Sequence, residues 1–265
     1  MPNERLVDIH CHLLPGLDDG PDGWDETLAM ARMAAEDGIT VVVATPHQLG
    51  NFAHNRGDAI RQLVHQAREL FDRHAIPLDV LPGADVRIEP EMVSRIAAGD
   101  VLTLADRRRY VLLELPHEVY LPLEALIGQL RAAGLVGVLS HPERNLGILA
   151  RPGVVTSLVE AGCLMQVTAG SLAGSFGPEV QKLAERLVVE GLAHFVATDA
   201  HGVRSRRPLL RRAFERISQL AGPQTAYQLC CANPACVVAD REILAGRQRV
   251  TARGRKRWMP WRKAG

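Results

Sequence analysis

Residues 6–21 read LVDIHCHLLPGLDDGP, and this stretch decides the fold. A short apolar run ends in two histidines, His10 and His12. A Gly/Pro-rich turn follows, carrying Asp18 and Asp19. An apolar run bounded by Gly and Pro reads as a β-strand. Successive strand residues face opposite ways, so His10 and His12 point together while Cys11 points away. The strand therefore ends in a pair of imidazoles aimed at one place.

The same arrangement recurs along the chain. Apolar runs lie in ITVVVATPH (39–47), LDVLPGADVRI (78–88), YVLLELP (110–116), LVGVLSHPERN (135–145), CLMQVTAGSL (163–172) and AHFVATDAHG (193–202). With the first run these are seven strand candidates. Amphipathic stretches separate most of them, among them WDETLAMARMAAEDG (24–38), where Gly38 supplies a C-terminal stop, and RGDAIRQLVHQARELFDRH (56–74). Alternating β and α elements with short connections imply a parallel sheet covered by helices, and seven repeats imply a barrel closed on itself.

Position is the second signal. His10, His12, His47, Asp85, Glu114, His141, Asp199 and His201 all fall at or just past the C-terminal ends of the apolar runs. In a parallel barrel that edge is where active sites are built. A lone histidine at a strand end is ordinarily a hydrogen-bonded structural residue. Six strand ends carrying imidazole or carboxylate are harder to explain that way, because buried charge is costly unless paired or metal-bound. Mixed imidazole and carboxylate donors suit Mn, Fe(II) or Zn.

Composition narrows the class. The 265 residues carry a net charge of +1, so no global field points to nucleic acid or a membrane surface. No apolar run approaches the roughly 20 residues a membrane-spanning helix needs, and the start, MPNERLVDIH, lacks a signal-peptide pattern. Five cysteines without a pairing pattern read as reduced, which places the protein in the cytoplasm. A cysteine-dependent phosphatase separates its Cys from an Arg by five residues, and none of the five cysteines does so. The expected organisation is one domain over 1–245 and a strongly basic tail over 246–265.

Four signatures in order, DIHCH, ATPH, SHPERN and TDAHG, resemble the PHP (polymerase and histidinol phosphatase) superfamily. The DDGP of the opening stretch, GADVRI, LLELP and Asn233-Pro234 are similar to one branch of it, the CpsB/CapC-like metal-dependent protein-tyrosine phosphatases of bacterial capsule and exopolysaccharide loci. The resemblance covers residues 6 to 245. It implies a distorted (β/α)7 barrel with two or three metal ions, Mn2+ first, Fe or Zn as alternatives. One ion would take His10, His12, Asp85 and Asp199; a second would share Asp85 and add Glu114 and His141. A third would take Asp19, His47 and His201, with Asp18 the rival to Asp19. Arg144 and Arg206 match the phosphate-binding positions, with Arg207 a close rival to Arg206. The branch usually carries Glu where this chain has Asp85, one methylene shorter, which bears on the metal spacing. Glu89 and Glu91 lie beyond the motif and are expected in solvent.

The implied substrate is the phosphotyrosine tail of a bacterial tyrosine kinase that controls exopolysaccharide synthesis, with no nucleic-acid partner, no membrane insertion and a homo-oligomer left open. Two alternatives remain at this point: hydrolysis of a small phosphoester such as histidinol phosphate or a nucleotide, and a metal-binding regulatory module without turnover. Phe52, Trp24 and Tyr120 are the aromatic candidates beside the site, His54 and His117 could line its mouth, and the loop QLGNFAHNRGD after His47 is expected to form a mobile rim.

Overall fold

The computed structural model describes residues 4–243. The basic stretch 246–265 lies outside the described residues, as do the last two positions of the expected domain. The strands are β1 (Leu6–Cys11), β2 (Ile39–Ala44), β3 (His47–Gln48), β4 (Asp79–Pro82), β5 (Asp85–Arg87), β6 (Tyr110–Glu114), β7 (Val136–Ser140), β8 (Leu164–Thr168) and β9 (Phe195–Ala197). All neighbouring strands pair in parallel, in the orders β1-β2-β4 and β3-β5-β6-β7-β8-β9.

These nine strands form seven staves, because two staves are interrupted. β2 runs into β3 across Thr45-Pro46, and β4 into β5 across Gly83-Ala84. Pro46 has no N–H to donate to a ladder, yet its carbonyl still accepts from Asp85 N at 3.2 Å. Thr45 N donates to Cys11 O at 2.9 Å, so the sheet carries on through the break. The barrel closes between β9 and β1 at the top only. There Asp199 N donates to His10 O at 2.7 Å and His12 N to Ala200 O at 2.8 Å. Lower down the Asp8 carboxylate stands in for the ladder, accepting from Thr198 N at 3.0 Å and His10 N at 3.2 Å. The expected seven-stave parallel barrel is present, distorted at these three places.

One apolar cluster fills the barrel, including Val7, Ile9, Val43, Leu112, Val138, Phe195 and Ala197. A larger one lies between the staves and the helices outside and includes Leu6, Cys11, Met30, Phe71 and Met165. β1 slips register between Asp8 and Cys11. That slip lets Val7 and Ile9 face the barrel core and His10 and His12 face the same interior higher up, a parity that strict alternation does not allow. Gly38 ends the Trp24–Glu36 helix with φ of 95°, as the sequence suggests. Among the described residues, no helix is long and apolar enough to cross a membrane.

Candidate metal centre

The C-terminal mouth of the barrel gathers all nine predicted ligands into four overlapping groups. They are His12, Asp19, His47 and His201; His10, His12 and Asp85; His10, His141 and Asp199; and His47, Asp85 and Glu114. Within each group the donor atoms lie within 4.8 Å of one another. Around His10 Nε2, Asp199 Oδ1 is at 3.2 Å, His12 Nε2 at 3.3 Å and Asp85 Oδ2 at 3.4 Å. Neighbouring ligands on one ion with bonds of ~2.1 Å stand roughly 3.0–3.4 Å apart, so this spacing suits coordination. Asp85 is the central carboxylate. Its Oδ2 also lies 3.8 Å from His47 Nδ1 and 4.0 Å from His141 Nε2.

The grouping differs in part from the one the resemblance implies. His12 reaches across to Asp19, His47 and His201 as well as to His10, and Glu114 groups with Asp85 and with His47, 3.6 Å away, while His141 groups with His10 and Asp199. β3 sits beside β5 and β5 beside β6, which places His47 and Glu114 on either side of Asp85. β7, which leads to His141, lies beside β6 as well, so strand order alone does not set the grouping; the reach of the side chains across the mouth does.

The donor set fits metal ions on a further observation. Both carboxylate oxygens of Asp85 and His47 Nδ1 are buried without a hydrogen-bond partner. Buried polar atoms are almost always partnered, so these atoms await a ligand the protein does not itself supply. Three of the imidazoles have their other nitrogen held by the protein. His10 Nδ1 is 2.8 Å from Gln166 Oε1, His12 Nδ1 2.7 Å from Asp18 Oδ2, and His201 Nδ1 3.0 Å from the Asp199 carbonyl. Each acceptor fixes the tautomer that leaves Nε2 free toward the centre.

Those contacts separate Asp18 from Asp19. Asp18 is saturated, accepting also from His47 N at 2.9 Å and Gly20 N at 3.0 Å. Asp19 instead faces His201 Nε2 at 3.1 Å and is 57% exposed, so it stands at the rim. A Cβ on Gly20 would meet the His12 carbonyl at 2.8 Å, which is why the turn after Asp19 needs glycine. Gln166 is the orienting residue that sequence reasoning missed. Its only signal is a polar side chain in the middle of a fully buried strand. Glu143 is a second, accepting from Thr168 N at 2.8 Å and Ser171 Oγ at 2.7 Å, so it ties the HPER turn to the end of β8.

Electrostatics follow the packing. Burial opposes charge on His10, but Asp199 and Asp85 outweigh it and hold the imidazole up to about 9. Burial, then His201, lowers His12 to about 4, and burial lowers His141 to about 3. Burial and then Asp85 push the Glu114 carboxyl up. Burial alone would raise Asp199, yet His10 and Arg206 hold it well below the usual carboxylate range. His141, Asp199 and Arg206 all take positive φ, at 32°, 51° and 48°. Non-glycine residues reach that region at a cost of roughly 1–3 kcal/mol, a strain typical of functional sites.

Arg144 Nη1 and Arg206 Nη2 both donate to Asp199 Oδ2, Arg206 at 2.5 Å. Both guanidinium groups line a 230 Å³ cavity above the ligands, with His117 and Asn145 also on its wall. Arg207 does not line it. Cys11 does not line it either, and burial pushes its thiol well up. Phe52 stacks on His47 with ring centroids 5.2 Å apart and lines a neighbouring 240 Å³ cavity with Arg87 and Glu114. Trp24 and Tyr120 pack against the outer core instead. The loop after His47 is pinned at its base: Asn55 Nδ2 donates to Leu17 O and His47 O at 2.9 and 2.8 Å. Its tip, including Gly50, Asn51, Ala53 and His54, is exposed. Glu89 is half-buried, accepting from Gly50 N at 3.2 Å, whereas Glu91 is exposed.

Comparison with known proteins agrees with this picture. Residues 6–239 match the family described as "Capsular polysaccharide synthesis, CpsB/CapC". The chain belongs to the CpsB/CapC family. Among relatives of this family member, the tyrosine-protein phosphatase YwqE of Bacillus subtilis is 38% identical over 226 residues, covering 84% of this chain and 88% of YwqE. The tyrosine-protein phosphatase CpsB of Streptococcus pneumoniae is 26% identical over 244 residues, 90% of this chain and all of CpsB. A solved structure from work on YwqE and CpsB, described as "unique metal-dependent tyrosine phosphatases", superimposes with TM-score 0.87 at 36% identity, covering 92% of this chain and 98% of that one. A β-aspartyl dipeptidase from Fervidobacterium islandicum AW-1, 11% identical with TM-score 0.54 over 92% of this chain and 77% of that one, shares the fold alone.

Proposed function

We propose that this CpsB/CapC-family chain is a metal-dependent protein-tyrosine phosphatase. The observation that carries the reading is the convergence of nine imidazole and carboxylate side chains at one barrel mouth with two arginines beside them. Its relatives carry the name tyrosine-protein phosphatase. The ligands would be His10, His12, Asp19, His47, Asp85, Glu114, His141, Asp199 and His201, holding two or three divalent ions, manganese first. When bound, such ions neutralise phosphoryl oxygens and activate water at neutral pH.

The chain's own residues do the rest. Arg144 and Arg206 offer planar donor pairs to the phosphoryl oxygens that the ions leave free. Asp199 holds both guanidinium groups over the centre before substrate arrives. Gln166 and Asp18 keep His10 and His12 in the ligating tautomer. A covalent route through cysteine finds no thiol in the cavity, and the Ser140 hydroxyl donates to Leu113 O at 3.0 Å. Phe52, flat against His47 beside the centre, offers a face to the tyrosyl ring.

We further read the substrate as the phosphotyrosine tail of a bacterial tyrosine kinase governing exopolysaccharide synthesis, the compartment as the cytoplasm, and residues 1–245 as the phosphatase domain followed by a basic tail. The half-exposed Asp19 leaves the centre open on one side, as a peptide requires. Purified protein loaded with manganese, assayed against a phosphotyrosine peptide, histidinol phosphate and nucleotides, should hydrolyse the peptide with kcat/KM at least about tenfold higher. Faster turnover of histidinol phosphate or a nucleotide would replace this reading with a small-molecule phosphatase.

A further inference from the structure

A second recess adjoins the metal centre on the far side of Arg206. Its volume is 480 Å³, about twice that of the cavity above the ligands. It lies between the end of β8 with the following turn and the loop that leads from β9 to the Arg211–Ala221 helix. Arg204, Arg206, Arg207 and Arg212 line it, and no carboxylate does.

Three of these arginines have no counter-charge among the described residues. Among the described residues, Arg204, Arg207 and Arg212 form no side-chain ion pair or hydrogen bond, whereas Arg206 is committed to Asp199 and Asp19. Three uncompensated guanidinium groups around one concavity repel one another, and an anion in the recess would relieve that repulsion. The lining also holds an unmet polar group. Thr168 is 1% exposed and its hydroxyl has no hydrogen-bond partner, and Arg206 Nε is likewise buried and unpartnered. Phe176 joins the two sites: it lines the recess, while the Arg144 guanidinium lies 4.3 Å over its ring. The two sites therefore share one wall, Arg206, with the contact of Arg144 on Phe176 beside it.

We infer that this recess is a substrate subsite for an anionic side chain, carboxylate or phosphate, next to the phosphotyrosine of the peptide being hydrolysed. The inference rests on the phosphatase reading and adds a sequence preference to it. A peptide whose phosphoryl group sits between Arg144 and Arg206 carries its adjoining residues past that shared wall. An acidic neighbour then finds unpaired guanidinium donors, whose charge-assisted hydrogen bonds are the strong kind. A neutral neighbour leaves them in water, and a basic one adds to the repulsion. Recognition of this type weakens with salt.

The test uses metal-loaded, full-length protein and fluorescent peptides in which the phosphotyrosine is replaced by a non-hydrolysable phosphonate analogue. Three peptides differ only in the residues on either side: Gln, Glu or phosphoserine. Anisotropy should give a Kd about tenfold lower for the Glu and phosphoserine peptides than for the Gln peptide. The double variant Arg204→Ala/Arg212→Ala should bind all three alike, and should hydrolyse para-nitrophenyl phosphate, too small to reach the recess, at the unaltered rate. Retained hydrolysis also certifies that the variant is folded. Equal affinity of the unaltered protein for all three peptides, or a preference that survives in the double variant, would overturn the inference. A preference for one anion alone supports the subsite and names its source. Failure of the phosphatase reading is separate: it would show as absent turnover of phosphotyrosine peptides with the binding preference intact.

Discussion

Asp85→Asn should empty the metal centre and lower turnover of a phosphotyrosine peptide by at least about 10³-fold, the upper scale for removing one preorganised charged partner from an active site. The substitution keeps the side chain's shape and removes its charge. That charge faces His10, His47 and His141 from a position with no solvent exposure, and neither oxygen has a hydrogen-bond donor. An amide there offers divalent ions one weak carbonyl oxygen and points an N–H group at them. Asp85→Glu is the informative partner. It keeps the charge and adds a methylene to a packed site, a change worth about 1–3 kcal/mol of strain. It should keep its metal and most of its turnover. Elemental analysis of both variants decides the matter, and a full metal complement in Asp85→Asn would remove Asp85 from the centre.

Arg144→Ala and Arg206→Ala should each lower kcat/KM about 10²- to 10³-fold while metal content stays as it was. Neither guanidinium is a ligand, but both lie on Asp199 Oδ2 and on the wall of the cavity where a phosphoryl group would sit. Lysine should rescue poorly at either position, because an ammonium cannot present the paired, planar donors of a guanidinium. Loss of metal from the Arg144 or Arg206 variants would mean that their contribution is to hold Asp199 rather than phosphate. Steady-state kinetics and elemental analysis on the same preparations separate the two outcomes.

Much of this centre was legible in the sequence because a parallel barrel turns chain position into spatial position. Residues just past the ends of apolar runs share one mouth, so His10, His47, Glu114, His141 and Asp199 could be gathered without knowing any distance. The spacing of His10 and His12 gave their common direction, and the tilted contact of their rings, with centroids 5.4 Å apart, agrees.

The parts that were not legible depend on side-chain reach and local register. Whether Glu114 groups with His47 or with His141 depends on how far the side chains reach across the mouth, since β6 lies beside β7 and one stave away from β3, and no spacing along the chain encodes that. The slip in β1 was invisible because LVDIHC has an apolar residue on both faces, which leaves its parity open. Gln166 carries no motif of its own. It is recognisable as the partner of His10 only once β8 is known to lie one stave from β1, beyond β9. The rim loop also misled in part. Its glycines and polar residues suggested mobility, whereas buried Asn55 and Gln48 fasten its base.

The most direct test of the central claim is phosphate release from a phosphotyrosine peptide as metal is returned to chelator-treated protein, with bound metal counted in parallel. The account predicts no turnover after chelation, and recovery that rises with manganese and levels off at two to three ions per chain. Undiminished turnover by protein shown to be metal-free would contradict it.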